Sequence, residues 1–196
     1  MLVQFMVKNF LSFRNETILD LTAINAYKEH ESNLIDNGVK EKFLRVAAIY
    51  GANASGKSNL YLAMAYFQKI VVESLNNVYN KSETAISRFY MPFLFEETHG
   101  NSEFQIIEII DDFEYKYGFE YNSDSIVTEW LYRKNLTTNR TSAIFERAPD
   151  KIEFGASVRK ECDVYKEQIP AETLALSFFN KLKLKTDIFR SVYSGI

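Results

Sequence analysis

Apolar and polar positions change period twice along this chain, and those changes divide it. In "VQFMVKNF" the residues Val3, Phe5 and Val7 recur every second position, the pattern of a strand with one buried face. A second apolar run, Ile18, Leu19 and Leu21 in "ETILDLTA", follows the turn-like stretch "LSFRN", so a hairpin is expected with Arg14 near its tip. Residues 25–42 are polar and carry the turn dipeptide Asn37-Gly38, which reads as a surface loop or small hairpin. Next, Val46, Ala47, Ala48 and Ile49 form an unbroken small-apolar run, as in strands buried on both faces of an α/β sheet. The period then lengthens. In "NLYLAMAYFQKIVVESL", Leu60, Ala63, Met64, Phe67 and Val71 fall on one face of a helix.

Beyond residue 90 the two-residue period returns in "MPFLFEE", "SEFQIIEII", "FEYKYGFEY", "SIVTEWLY", "SAIFER" and "KIEFG". Phe113, Tyr115, Tyr117, Phe119 and Tyr121 alternate with Glu114, Lys116, Gly118 and Glu120, which predicts a strand buried on one side and wet on the other. Asp111-Asp112 and Asn122-Ser123-Asp124 are the expected turns of an antiparallel meander running from about 92 to 155. From Pro170, suited to a first helical turn, "PAETLALSFFNKLKLKTDIFRSVY" returns to helical spacing. The fold class expected is mixed α/β in a single unit: a core over 1–90, a meander over about 91–155, and a helical segment over about 170–196.

Composition narrows this only slightly. The chain has 196 residues, 46% hydrophobic and 25% charged, enough for one sizeable globular unit. A net charge of −3 gives no sign of a nucleic-acid surface. A single cysteine, Cys162, rules out an internal disulfide framework, and His30 and His99 read as surface or turn residues rather than ligands. No apolar run is long enough for a membrane span and no signal-peptide layout is visible, so a cytoplasmic location is the expectation.

The candidate chemistry sits between the small-apolar run and the long helix. "GANASGKS" has the Gly-x4-Gly-Lys-Ser spacing of a phosphate-binding loop, in the strand–loop–helix context such a loop requires. Gly51 and Gly56 let the backbone bend and approach a pyrophosphate. The amides of the loop, through Asn53, Ala54, Ser55 and Gly56, form an anion cradle to which the following helix adds its positive end. Lys57 is the candidate catalytic residue, contacting the β- and γ-phosphates, and Ser58 the candidate Mg²⁺ ligand, with Asn59 directly after.

The letters G-x-N-x-S-G-K-S-N, with "VKNFLSF" upstream, resemble the loop of ABC-type ATPases of the SMC, Rad50 and RecF kind. A closer resemblance, to bacterial ATP-binding proteins of the AAA15 type, is carried by "NFLSFRNETILDLTA", "AAIYGANASGKSN", "MPFLFEE", "YKYGFE", "IVTEWLY" and "ALSFFNKL". That group is related to the overcoming-lysogenization-defect nucleases and to anti-phage ATPases. The resemblance implies the N-terminal lobe of an ABC-type P-loop head, with an antiparallel β-subdomain and C-terminal helices. It implies ATP and Mg²⁺ as cofactors and ATP hydrolysis in the full-length protein. It also implies a homodimer with ATP sandwiched between heads, and a nuclease effector or DNA as further partners, in anti-phage defence or DNA maintenance. Arg14 could approach the nucleotide, or be an ordinary surface arginine.

Three parts that the resemblance implies are not found in the sequence: a glycine-containing signature, an acidic Walker B strand and a switch histidine. "IIEIIDD" is interrupted by Glu108 and is better explained as a hairpin turn. "ALSFFN" lacks the signature glycines, and neither Gln68 nor Gln105 stands clearly at the metal-contacting loop. The expectation is therefore a chain truncated after its first lobe. The alternative is a complete product that senses nucleotide without turnover and recruits a partner effector.

Overall fold

A computed structural model describes residues 1–24, 30–36, 41–75, 84–95 and 99–196. Its largest element is a seven-stranded antiparallel sheet in the order β2-β1-β5-β6-β7-β8-β9. The opening hairpin pairs β1 (Leu2–Lys8) with β2 (Thr17–Asp20) in the register Phe5↔Leu19. The meander is β5 (Ser102–Ile110), β6 (Phe113–Tyr121), β7 (Ile126–Asn135), β8 (Thr141–Ala148) and β9 (Lys151–Phe154). Because β1 pairs with β5, the hairpin and the meander are one sheet. The expectation of a mixed α/β fold with an antiparallel sheet and helices holds.

The alternation in β6 does what its period requires. Tyr115, Tyr117, Phe119 and Tyr121 are buried, while Lys116 is exposed. Gly118 lies on the other face but is buried too, because the Trp130 ring covers it; a β-carbon there would collide with that ring. The helix α1 (Lys57–Glu73) lies on the core face and buries Ala63, Phe67, Ile70 and Val71. Phe67 stacks on Phe119 with centroids 5.7 Å apart and planes 8° from parallel, and meets Phe5 and Phe104 edge-on. A second aromatic group, Phe145, Phe154, Phe179 and Phe189, seats α4 (Ala175–Asn180) and α5 (Ile188–Gly195) on the far strands. The described residues also include two short α-helices, α2 (Ala85–Phe89), capped by Thr84, and α3 (Arg159–Cys162).

Three expectations are corrected. Val46–Ile49 is not a buried strand: the chain from Val46 to Tyr50 is non-regular and exposed, with Val46 at 80% and Tyr50 at 90%. Among the described residues no strand flanks it, so its apolar side chains have nothing to pack on. The strand just before it in the chain, β4 (Phe43–Leu44), pairs with β3 (Leu34–Ile35) in a small hairpin. The meander begins at Ser102, not near 92. Residues 91–95 form a loop, because the tip of the first hairpin takes their backbone groups: Leu11 N donates to Met91 O at 2.8 Å and Phe93 N to Asn9 Oδ1 at 2.9 Å. Pro170 opens no helix; its carbonyl accepts from Thr173 N and from Arg147, and α4 starts at Ala175. The Asn37-Gly38 turn lies outside the described residues.

One polar device ties the helical segment to the sheet. Glu129 stands on the core face of β7 and is fully enclosed. Its carboxylate accepts from Ala175 N at 2.7 Å, Leu176 N at 3.0 Å and the Tyr117 hydroxyl at 2.9 Å. Arg147 lies 3.8 Å away and donates in turn to the carbonyls of Thr173, Pro170 and Ala171. Burial pushes the Glu129 pKa up, against the pull of Arg147 and the two amides.

Candidate functional site

The loop from Gly51 to Lys57 leads into α1, with Gly56 as the N-cap residue at φ 89°. That left-handed conformation suits glycine. Ala54, at φ 62°, takes the same region at the strain a side chain brings there. Two left-handed residues on either side of Ser55 fold the backbone into a compact bend. A β-carbon on Gly51 would lie 2.7 Å from Ser55 Oγ, so that hydroxyl would have to turn away.

The bend leaves its donors available. Within the loop, Ser55 N donates to Ala52 O at 3.3 Å. The amides of Asn53, Ala54, Gly56, Lys57 and Ser58 have no protein acceptor among the described residues. Those of Lys57 and Ser58 also belong to the first turn of a 17-residue helix, where the helix dipole favours negative charge. Amides left without protein acceptors in a tight bend are the donors that an anion-binding nest uses. Lys57 Nζ donates to Gly51 O at 2.8 Å and Ala52 O at 2.6 Å, so the ammonium is held against the loop rather than spread into solvent. Ser58 is exposed on the first turn of α1, and Asn53 is exposed on the loop.

The first hairpin reaches this loop from 47 residues away. Asn59 Nδ2 donates to Ser12 Oγ at 2.8 Å. A β-carbon on Gly56 would come within 3.1 Å of the same Ser12 Oγ and within 3.9 Å of the Phe13 ring. The hairpin tip is itself rigid: Phe10 and Phe13 exchange backbone hydrogen bonds, and Asn9 and Leu11 adopt φ 49°. Asn9 then fastens the tip to the sheet through Gly100 O and Asn101 O. Arg14 follows directly on the tip and is exposed.

The other candidates are accounted for elsewhere. Asp111 and Asp112 form the β5–β6 turn, with Asp111 at φ 52°, the hairpin turn expected of them. Gln68 Nε2 donates to Ile196 O at 2.9 Å, and Gln105 Oε1 accepts from Trp130 Nε1 at 3.3 Å. Among the described residues no group of three metal-capable side chains is found. Cys162 is buried, its thiol pushed up to about 12 mainly by that burial. Sequence reasoning missed Ser12, because a serine in a hairpin turn carries no local mark of a contact so distant in the chain.

Residues 46–165, more than half of the chain, match the family model described as "AAA domain, putative AbiEii toxin, Type IV TA system". The chain belongs to this AAA-domain family. The matched span opens at the exposed Val46–Tyr50 segment, contains the whole loop and α1, and runs through the meander to α3 and just beyond. AAA domains are P-loop ATPase-type domains, which in general use ATP and Mg²⁺. No curated protein and no solved structure matches the chain. Among the described residues, no helix of this AAA domain is long and apolar enough to cross a membrane.

Proposed function

We propose that this chain binds ATP with Mg²⁺ through residues 51–59, as the N-terminal lobe of an ABC-type head of the SMC and AAA15 kind. The observation that carries the reading is the loop itself: two left-handed residues, five amides without a protein acceptor and one ammonium gathered at the start of α1. The donor set fits a polyphosphate. Asn53, Ala54, Gly56, Lys57 and Ser58 would supply amides to the phosphates, Lys57 its charge to the β- and γ-phosphates, and Ser58 its hydroxyl to Mg²⁺. Bound Mg²⁺ would neutralise phosphate charge as the terminal phosphoryl group leaves. Lys57 must leave the carbonyls of Gly51 and Ala52 to do this, a change of side-chain torsions only.

The ABC-type assignment is supported by the exposed apolar segment Val46–Tyr50, which feeds the loop and has the composition of a central strand. In this reading further strands of the full-length protein cover it, two heads sandwich ATP, and hydrolysis separates them. A role in anti-phage defence or DNA maintenance, with a nuclease effector or DNA as partner, follows from the resemblance in sequence alone. A second reading has its own support. Asp111 and Asp112, the acidic pair in "IIEIIDD", sit in a hairpin turn. Nucleotide sensing without turnover, with recruitment of an effector, fits that placement.

Titration with ATP and Mg²⁺ tests both. The wild-type chain is expected to bind saturably, and Lys57→Ala to weaken binding by roughly 10–100-fold, the worth of a charge-assisted hydrogen bond or two. Unchanged binding in the variant would refute the site. Phosphate release by the full-length protein, abolished by Lys57→Ala, supports the ATPase; binding without release supports the sensor.

A further inference from the structure

The face of α1 beyond the loop borders a cavity of about 340 Å³, at the lower end of the range of small-molecule sites. Phe5, Met64, Phe67 and Ile106 line it, and its polar groups include Gln68 and Glu108. Glu108 is out of place there. It lies on the core face of β5 beside Leu2 of β1, is 2% exposed, and its Oε1 has no hydrogen-bond partner. Its other oxygen faces Gly195 of α5 so closely that a β-carbon on that glycine would collide with it. The N-terminal ammonium, the nearest cation, instead donates to Ile109 O at 2.7 Å. A carboxylate enclosed without a donor is costly, and it is relieved either by holding a proton or by a donor brought from outside. A water would meet the oxygen but would leave the apolar volume unfilled.

We propose that this cavity binds a small organic cation, an ammonium or guanidinium head on a short apolar stem, with the head on Glu108 and the stem among Phe5, Met64 and Ile106. An anion is repelled by the carboxylate, and a neutral apolar molecule leaves Oε1 as it was. The Glu108 carboxyl is pushed up to about 7 by burial, the N-terminal ammonium opposing, so cation binding drives off its proton and strengthens as pH rises from 6 to 8. The site is independent of the nucleotide reading, since none of its lining residues belongs to the loop.

The test is a titration of the protein with phenethylammonium and, in parallel, with 2-phenylethanol, followed by the NMR signal of the Met64 methyl group. The expected result is a saturable shift for the cation, with affinity roughly tenfold or more above that of the alcohol. Glu108→Gln is expected to erase the preference for the cation. Ala65→Leu, which adds side-chain volume to the cavity wall on α1 and keeps the carboxylate, is expected to abolish both titrations. Lys57→Ala is expected to leave them unchanged. Absence of a saturable Met64 shift, equal affinity for amine and alcohol, or an undiminished preference in Glu108→Gln would each overturn the proposal. The first two outcomes use the wild-type protein and do not depend on how any variant folds.

Discussion

Glu129→Ala removes the acceptor on which the meander and the helical segment converge. Four groups lose their partner at once: the amides of Ala175 and Leu176, the Tyr117 hydroxyl, and the Arg147 guanidinium 3.8 Å away. Breaking a buried ion pair from one side costs about 3–5 kcal/mol. Arg147 keeps three carbonyls, which pulls its share toward the low end. Each orphaned donor adds roughly 1–3 kcal/mol, reduced where water enters the space left by the side chain. At the low end of each range the total is about 6 kcal/mol, a large part of the 5–15 kcal/mol that holds a typical domain together. Glu129→Gln, which keeps one carbonyl oxygen but no charge, is expected to cost about half as much. Urea unfolding followed by fluorescence of the one tryptophan, Trp130, gives the free energies. Hydrogen exchange at Ala175 and Leu176 locates the damage at the start of α4. If Glu129→Ala costs under about 1 kcal/mol and both amides stay protected, Glu129 is a bystander.

Three further outcomes are expected. Gly56→Ala places a β-carbon at φ 89° and 3.1 Å from Ser12 Oγ; the loop escapes by leaving the left-handed region, and nucleotide binding weakens about tenfold because it must return there. A binding titration within twofold of wild type would contradict this. Glu108→Gln changes the pH dependence of stability. The carboxyl ionises near 4.5 unfolded and about 7 folded, so wild-type stability falls as pH rises through that window. The variant does not share this loss and gains up to about 3 kcal/mol on wild type by pH 8, with no gain below about pH 4.5; parallel curves in chemical denaturation would refute the linkage. Cys162, enclosed and with its thiol pushed up to about 12, is expected to resist a disulfide reagent until the protein unfolds, and prompt labelling of the native chain would contradict that burial.

Much of the fold was legible because it rests on local periodicity. The alternation in "FEYKYGFEY" gives β6 its buried face, and the spacing from Leu60 to Val71 gives α1. The run Val46–Ile49 shows where that logic stops: a small-apolar sequence says that a segment seeks cover on both sides, not that the cover is present. The short helices α2 and α3 were invisible because five and four residues are too few to establish a period. In "IVTEWLY" the acid Glu129 reads as a wet-face residue, yet Leu131 on its face is buried and the N-terminus of α4 closes over both. Of the loop, spacing marked the residues from Gly51 to Asn59 as the candidate site. It was silent on Ser12, which comes to Asn59 only because the hairpin tip is pinned to the sheet by Asn9.

Lys57, with its Nζ against the carbonyls of Gly51 and Ala52, bears on kinetics as well as affinity. In the proposed nucleotide site, an arriving polyanion would meet a main chain that already has its bend and a positive charge already within reach. Only the lysine stem has to swing, and such hops take picoseconds to nanoseconds. Capture would then be set by how often the polyanion arrives in a usable orientation.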